Sequence, residues 1–305
     1  MCRKPLGKEI GAICCVFNPL RFRSRIRNYR LFREGIERVG IRLLTVELAS
    51  GDAPFQIDDG PDVLRLRGGD VMWQKERLLQ IGGERLAAEG YSGLVFLDAD
   101  VLFHDDEWPL RVADALNCYP AVQCFSVAVS NYADVVVCAR SGVKEWQQEG
   151  CLPGSAKGFA WAMRSDLFAS VGLYQHCVVG GGDSALSLAA LGLAHGPDAW
   201  RETLSSQAFI RRAGPTMLAH YQVWAGRFFR SAGEAAGCVE GTIEALVHGS
   251  YERRQYGDRH EILAGFDPER DVVAAEGRAF AWTEAGESRR EPVRLYLLDR
   301  REDVG

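Results

Sequence analysis

Short apolar runs of strand length recur along the first third of the chain and are separated by stretches with helical spacing. The apolar runs cover residues 10–17, 41–48, 63–66 and 93–97. A buried parallel strand has this continuous apolar pattern, and strands that alternate with helices are typical of parallel βαβ units. The pattern therefore predicts an α/β fold with parallel βαβ units.

Helix signals lie between these runs. The first predicted helix has Ser24 as its N-cap and Gly40 beyond its end, and the second has Asp70 as its cap after the Gly68-Gly69 turn. Further helices are predicted near 108–116, over 164–171, from 183 onward and over 200–236, and further strands over 121–129, 159–163 and 241–247. Residues 130–157 have no clear pattern, and we expect an active-site loop among them.

Composition places the chain among ordinary globular proteins. Of its 305 residues, 47% are hydrophobic and 25% are charged, and no run of about 18 uncharged apolar residues predicts a transmembrane helix. The nine cysteines are an odd number without a CxxC pair, so they predict reduced thiols and a cytoplasmic location rather than disulfides or a zinc site. Because there is no repeat or low-complexity linker, one domain is expected over 1–265, with 266–305 as a tail that packs on it or extends from it.

Charge is unevenly spread along the chain. The net charge is −5, yet residues 1–35 carry +7, so that the remainder carries −12. The excess comes largely from Arg21, Arg23, Arg25 and Arg27. A local basic cluster in an acidic protein indicates one anionic ligand rather than general binding of polyanions, although a solvated helix face would also explain most of these arginines.

The fourth apolar run ends in two carboxylates, Asp98 and Asp100. On an extended chain, side chains two residues apart point to the same side, so the pair is expected to leave the strand together and share one divalent cation. Ligands of open α/β sheets lie beyond the carboxyl ends of the strands. The alternative interpretation is two acids in an ordinary loop, one of them a helix cap.

Four motifs in order resemble GT-A nucleotide-sugar glycosyltransferases, most closely family 2 and the β-1,4-galactosyltransferase-like family 7. They are residues 73–82 leading into the Asp98-Ala99-Asp100 strand, residues 158–168 (G-F-A-W-A-M-R-S-D-L-F), Gly180-Gly181-Gly182-Asp183, and His248 after a strand. The Arg254–Arg259 stretch is also similar to a motif of short bacterial and phage-encoded members. The resemblance covers about residues 10–260 and implies a GT-A (Rossmann-like) α/β fold with a mixed, mainly parallel sheet flanked by helices. It also implies a nucleotide-binding half over 1–105 and a partly helical acceptor half over 106–265.

This resemblance implies a metal-dependent transfer from a UDP-sugar to an acceptor hydroxyl, with inversion. Asp98, Asp100 and His248 are the implied ligands of Mn²⁺ or Mg²⁺, which would neutralise the departing diphosphate. The implied contacts to the nucleotide sugar come from Phe17, Asn18, Arg21, Arg25, Glu47, Lys75, Asp98 and Trp161. A surface role for His248 and a core role for Trp161 remain alternatives.

Asp183 is the implied general base, which would take the proton of the acceptor hydroxyl. A carboxylate that follows three glycines and opens a helix is also an ordinary N-cap, and that role alone would explain it. The sequence departs from the family 7 pattern at Gly182, where that pattern has Glu, and in the longer stretch between Asp183 and His248.

Other functions remain open. A nucleic-acid-binding protein could use the N-terminal arginines on phosphates, and a transferase that acts on modified DNA bases would combine both ideas. A phosphatase of the haloacid dehalogenase type also has two aspartates after a strand, but it needs a small Thr or Val where this chain has Leu102. An inactive transferase that binds metal is a further alternative. The acceptor, whether glycan, protein or modified nucleic acid, has no readable code in the sequence.

Overall fold

The computed structural model describes residues 10–132, 135–152, 154–194, 214–256 and 258–303. The strands in these ranges are β1 (Ile10–Phe17), β2 (Leu43–Ala49), β3 (Val63–Arg67), β4 (Gly93–Leu97), β5 (Val101–Phe103), β6 (Ala121–Gln123), β7 (Val127–Tyr132), β8 (Val135–Arg140), β9 (Ala160–Arg164), β10 (Gly237–Cys238), β11 (Thr242–Ala245), β12 (Val272–Val273) and β13 (Ala281–Trp282). The α-helices are α1 (Arg23–Arg38), α2 (Lys75–Ala88), α3 (Trp108–Cys118), α4 (Gly142–Glu149), α5 (Ser165–Val171), α6 (Gly182–Ala190), α7 (Gly214–Ser231) and α8 (Arg290–Asp299).

The central sheet has seven strands in the order β10-β6-β9-β4-β1-β2-β3. The pairs β4/β1, β1/β2, β2/β3 and β6/β10 are parallel, whereas β9 runs antiparallel to both of its neighbours. This confirms the predicted mixed, mainly parallel α/β sheet. Strand β4, which Asp98 and Asp100 follow, lies in the middle of the sheet. Its neighbour β1 is parallel to it and its neighbour β9 is antiparallel, so the strand direction reverses on one side of its carboxyl end.

Alternating residues of β1 divide the core between the two faces of the sheet. Ile13 belongs to the same core cluster as Leu78 and Leu86 of α2, while Cys14 belongs to a second cluster with Phe32 of α1 and Val112 of α3. Period-2 alternation in a strand and an apolar stripe on each helix produce this arrangement. Both faces are therefore covered by helices, as the continuous apolar runs predict.

A second sheet, of order β5-β11-β7-β8, brings the late part of the chain to the end of β4. Strand β11 is antiparallel to β5, which directly follows the Asp98–Asp100 turn. The Leu246 amide donates to the Asp100 carbonyl at 2.7 Å, just past β11. His248, two residues on, is thereby carried to Asp100.

Several local predictions are wrong. The N-cap residues of α1 and α2 are Phe22 and Gln74, not Ser24 and Asp70. The Ser24 hydroxyl bonds a carbonyl of the C-terminal tail, and Asp70 accepts from the Trp282 amide, so tertiary partners have taken both polar side chains.

The region 121–157 also differs from its prediction. The single strand expected over 121–129 is split between β6 and β7, which lie in different sheets. The expected loop over 130–157 contains the hairpin β7–β8 and helix α4. Of the predicted 200–236 helix, residues 200–213 lie outside the described ranges, and α7 covers 214–231.

The charged tail carries more structure than its weak pattern indicates. It contains β12, β13 and α8, and Val293, Tyr296 and Leu297 of α8 belong to the same core cluster as α2. Among the described residues, no helix combines the length and the apolar character needed to cross a membrane.

Candidate active site at the end of the central strand

The two aspartates of the motif do not leave an extended strand side by side. Strand β4 ends at Leu97, and the chain turns at residues 99 and 100. The Asp98 amide donates to the Phe159 carbonyl at 2.8 Å, whereas the Asp100 carbonyl accepts from Leu246 in the second sheet. The backbone of each residue is therefore tied to a different part of the fold, so the extended-strand geometry behind the predicted shared orientation does not reach these two residues. Each carboxylate has its own set of partners.

Asp98 faces the first turns of two helices. The Lys75 ammonium at the start of α2 forms ion pairs with Asp98 and, at 2.7 Å, with Oδ1 of Asp183 at the start of α6. Burial lowers the pKa of Lys75, but the two carboxylates outweigh burial and hold it well above its ordinary value. Burial raises the pKa of Asp98 to about 7, because one ammonium shared between two acids only partly offsets desolvation and the neighbouring carboxylates.

The side chain of Asp183 packs directly against the backbone of Gly158. A Cβ at Gly158 would lie 2.5 Å from Cγ of Asp183, closer than any side chain tolerates. This explains physically why glycine stands at position 158 in the sequence motif. Asp183 is not the N-cap of α6, since Gly181 holds that place; its side chain is bonded to Lys75 and is 42% exposed to the adjoining cleft. Of the two interpretations of Asp183, the structure removes the purely local one.

That cleft has a volume of about 400 Å³. Lys75, Asp98 and Asp183 line it. The other lining groups are mostly apolar or aromatic and include Phe96, Phe159, Trp161, Leu173 and Tyr174. Trp161 is 2% exposed, and its indole N–H is already bonded to the Lys157 carbonyl at 2.8 Å. The ring can therefore offer the cleft only its apolar surface.

Asp100 has a different partner and contacts His248. Oδ2 of Asp100 lies 2.8 Å from Nε2 of His248, and the Arg254 guanidinium is 3.4 Å from the same nitrogen. Burial would raise the pKa of Asp100, but His248, Arg25 and Arg254 outweigh it and lower the pKa below its usual value. Asp100 thus lies among a histidine and two arginines, whereas Asp98 shares one ammonium with a second carboxylate.

The chemistry of Asp100 and His248 fits a divalent cation. When two ligand atoms each lie about 2.1 Å from a metal ion and subtend a right angle there, they are about 3 Å apart. Oδ2 of Asp100 and Nε2 of His248 are 2.8 Å apart, which is close to this distance. Among the described residues, however, no three His, Cys, Asp or Glu side chains are grouped closely enough to hold a metal. Asp98 holds Lys75 through Oδ1. Asp100 and His248 are thus two candidate ligands lying side by side, and further ligands would come from the substrate or water.

The residues predicted to contact the nucleotide lie partly around a second cleft, of about 260 Å³. Phe17, Asn18 and Arg25 line it with Trp73 and Arg300. The guanidinium carbons of Arg25 and Arg300 lie 5.6 Å and 5.0 Å from the centre of the Trp73 ring, within the range of cation–π contacts. The cleft therefore combines an aromatic surface with two positive charges.

Three predicted contact residues already have protein partners. The Asn18 amide closes the turn to Phe22, and Arg21, with φ +58°, bonds the Pro54 carbonyl. Glu47 lies within β2 rather than at its end, is 1% exposed, and accepts the Gln56 amide. A direct contact between Glu47 and a nucleotide would require this buried arrangement to open.

Sequence reasoning missed two carboxyl groups at the site. Glu76 follows Lys75, is 7% exposed and lines the larger cleft, and burial raises its pKa to about 8. Glu302 in the tail lies 3.2 Å from Nδ1 of His248. The helical pattern could have placed Glu76 beside the site, whereas no local pattern marks Glu302.

In comparisons with known proteins, the chain aligns with solved structures of transferases. No family model and no curated protein matches the chain. A complex of Drosophila β1,4-galactosyltransferase 7 with manganese, UDP-Gal and xylobiose aligns at 12% identity and a TM-score of 0.43, over 82% of this chain and 75% of that one. The xylobiose complex of the same catalytic domain aligns at 13% identity and a TM-score of 0.34, over 59% of this chain and 60% of that one.

Mycobacterium tuberculosis glucosyl-3-phosphoglycerate synthase, in complex with Mn²⁺, UDP and phosphoglyceric acid, aligns at 13% identity and a TM-score of 0.39, over 88% of this chain and 82% of that one. All three alignments have TM-scores below 0.5. They establish neither a family nor an activity for this chain, and its function has to be argued from its own residues.

Proposed function

We propose that the protein is a metal-dependent glycosyltransferase that moves a sugar from a UDP-sugar to an acceptor hydroxyl with inversion. The observation that carries this proposal is the convergence, at the end of β4, of two different charged groups. One is the Asp100–His248 pair beside Arg25 and Arg254; the other is the Lys75–Asp98–Asp183 trio, which opens on a cleft. The first suits a cation with an anionic leaving group, and the second suits a sugar with an attacking hydroxyl.

Asp100 and His248 would hold Mn²⁺ or Mg²⁺, which when bound stabilises negative charge on a departing diphosphate. Arg25 and Arg254 add positive charge on the same side. Asp183 accepts the proton of the acceptor hydroxyl; the freed oxygen bonds the anomeric carbon, and the bond from that carbon to the phosphate oxygen breaks with its electron pair going to UDP. Lys75 holds Oδ1 of Asp183 and so orients this carboxylate at the cleft.

Binding of UDP tests the first half of the site. Ligand that binds only the folded state raises its stability by about 2.7 kcal/mol at 100 times the dissociation constant. A thermal-shift panel of nucleotides should therefore show stabilisation by UDP in Mn²⁺ and none in EDTA. Asp100→Asn should abolish the Mn²⁺-dependent shift, while Asp114→Asn on the exposed face of α3 should keep it. Indifference of the wild-type protein to every nucleotide and metal would refute the proposal.

Turnover tests the second half. We expect Asp183→Asn to keep the Mn²⁺-dependent shift and to slow release of UDP from a UDP-sugar about 10²- to 10⁴-fold, the usual contribution of a general base. Asp114→Asn again serves as the control. Normal turnover by Asp183→Asn would show that another group takes the proton.

A further inference from the structure

The last described residues return to the metal-binding side of the site. After α8 the chain runs across the start of α1, where the Ser24 hydroxyl donates to the Glu302 carbonyl and the Ser24 amide donates to the Asp303 carboxylate, each at 2.7 Å. These bonds hold the segment Arg300–Asp303, here called the tail segment, in one place. Ser24, expected as a helix cap, is thus the residue that fastens the tail segment to the fold.

The Glu302 side chain is buried in this arrangement, at 2% exposure. Its carboxylate is paired with the guanidinium groups of Arg25 and Arg300. Its Oε2 lies 3.2 Å from Nδ1 of His248, a buried nitrogen that has no aligned hydrogen-bond partner among the described residues. The other ring nitrogen, Nε2, faces Asp100. The imidazole is therefore held between two carboxylates, one from the central strand and one from the tail segment.

Gly249 shows independently that the tail segment is packed against the histidine loop. A Cβ at this position would lie 3.1 Å from the Arg300 carbonyl and 3.2 Å from Cα of Glu302, and its φ of +64° favours glycine. The contact is thus between backbones, and it does not depend on one flexible side chain.

We propose that Glu302 is a positioning residue of the metal site, which accepts Nδ1–H of His248 and so directs the lone pair of Nε2 toward the side of Asp100. This inference rests on the metal site of the proposed function. A neutral imidazole carries one proton, and a carboxylate that binds it at one nitrogen fixes the other nitrogen as the ligand. The tail segment is then part of the site, although it is more than fifty positions from His248 in the chain.

A second role for Glu302, as an obstacle to ligand binding, makes the opposite prediction. Because Glu302 also contacts Arg25 and Arg300, it could instead occupy the place of an anionic ligand and have to leave before that ligand binds. Removal of the carboxylate would then free two guanidinium groups and strengthen binding of UDP. A positioning role predicts the reverse, since the histidine would lose its orientation and Arg25 its buried partner.

The test measures Mn²⁺ binding to the full chain by the loss of the free-ion EPR signal, with and without UDP. We expect Glu302→Ala to weaken Mn²⁺ binding about 10- to 100-fold, the usual effect of removing such a carboxylate. Glu302→Gln, whose side-chain carbonyl can still accept Nδ1–H, should lose less. Glu291→Gln is the control, because Glu291 lies on α8, is exposed, and pairs only with Arg294 among the contacts described here.

Folding is followed by circular dichroism in EDTA. If both Glu302 variants fail to fold, Ser24→Ala carries the same test, since it loosens the tail segment without touching the ring or the carboxylate, and it should also weaken Mn²⁺ binding. Folded variants that bind Mn²⁺ as the wild type does, or that bind UDP more tightly, would overturn the inference while leaving the proposed function intact. Failure of the wild-type protein to bind Mn²⁺ even with UDP would overturn both.

Discussion

Position 182 offers a direct test of how tightly the cleft is packed. Glycine here is the first residue of α6, and its backbone lies against the side chain of Glu76. A Cβ would be 2.0 Å from Oε1, 2.2 Å from Cδ and 2.6 Å from Cγ of that side chain. Since non-bonded carbon atoms approach to about 3.5 Å at best, the Gly182→Ala variant forces Glu76 to move by 1 Å or more.

The size of the effect follows from two opposing contributions. Replacing glycine by alanine in a helix stabilises it by up to about 1 kcal/mol, while overpacking a buried site costs about 1–3 kcal/mol. Glu76 is buried beside Lys75 and Asp183, so it cannot swing into solvent without leaving the site. We therefore expect Gly182→Ala to lower the free energy of unfolding by about 1–2 kcal/mol.

Urea denaturation followed by tryptophan fluorescence measures this free energy. The matched control is Gly35→Ala in α1, where the nearest atom to the new Cβ is 3.6 Å away and only the helix contribution acts. In the Glu76→Ala background the effect of Gly182→Ala should become neutral or stabilising, which a double-mutant cycle detects. A Gly182→Ala protein as stable as the wild type, with Glu76 present, would contradict the packing described here.

Two further predictions concern buried charge. Lys75→Met should lower the free energy of unfolding, measured by urea denaturation at pH 8, by about 1–3 kcal/mol. The reason is that Asp98 and Asp183 lose their shared ammonium, while the exposure of Asp183 limits the cost. An unchanged free energy at pH 8 would mean that the pairing does not stabilise the fold. Burial lowers the pKa of His176 to about 4, so the unfolded chain binds more protons between pH 6.5 and 4 and the wild type loses stability as the pH falls through that range. His176 lies against the rings of His220 and Phe280. Over the same pH range, the free energy of unfolding of His176→Phe should fall by up to about 3 kcal/mol less than that of the wild type. An acid unfolding transition at the same pH in both proteins would refute this.

The strands of the central sheet could be predicted because their signal is local. The apolar run 10–17 coincides with β1, and the run 63–66 lies within β3, since continuous burial on both faces needs nothing beyond the residues themselves. The helix caps could not be predicted in the same way. Ser24 and Asp70 are good caps in isolation, but the tail segment and the Trp282 amide compete for their oxygens from more than two hundred residues away.

The site was predictable as a set of residues but not as a geometry. Lys75, Asp98 and Asp183 do come together, as do Asp100 and His248. The different partners of Asp98 and Asp100 depend on where β4 ends and on backbone hydrogen bonds to Phe159 and Leu246, which no spacing rule contains. A period-2 argument holds only while the chain remains extended, and here the chain turns one residue after the strand.

The two aspartates should therefore respond in opposite ways to the loss of their charge. The pKa of Asp98 is raised to about 7 by burial, so the folded protein binds its proton more tightly than the unfolded chain does, and rising pH destabilises the wild type between about pH 4 and 7. The pKa of Asp100 is lowered by His248, Arg25 and Arg254 against burial, so its contribution is present above about pH 4 and is lost as the pH falls below that value.

Asp98→Asn and Asp100→Asn remove these ionisations with little change of shape. Relative to wild type, Asp98→Asn should gain up to about 4 kcal/mol between pH 4 and 8, whereas Asp100→Asn should be destabilised at pH 6 and approach the wild type as the pH falls below about 4. Urea denaturation in EDTA across this range measures both, and the exposed Asp114→Asn should show neither trend. Parallel curves for the two variants would mean that both carboxylates have the same surroundings, and the division of the site into a cationic and an acidic side would fail.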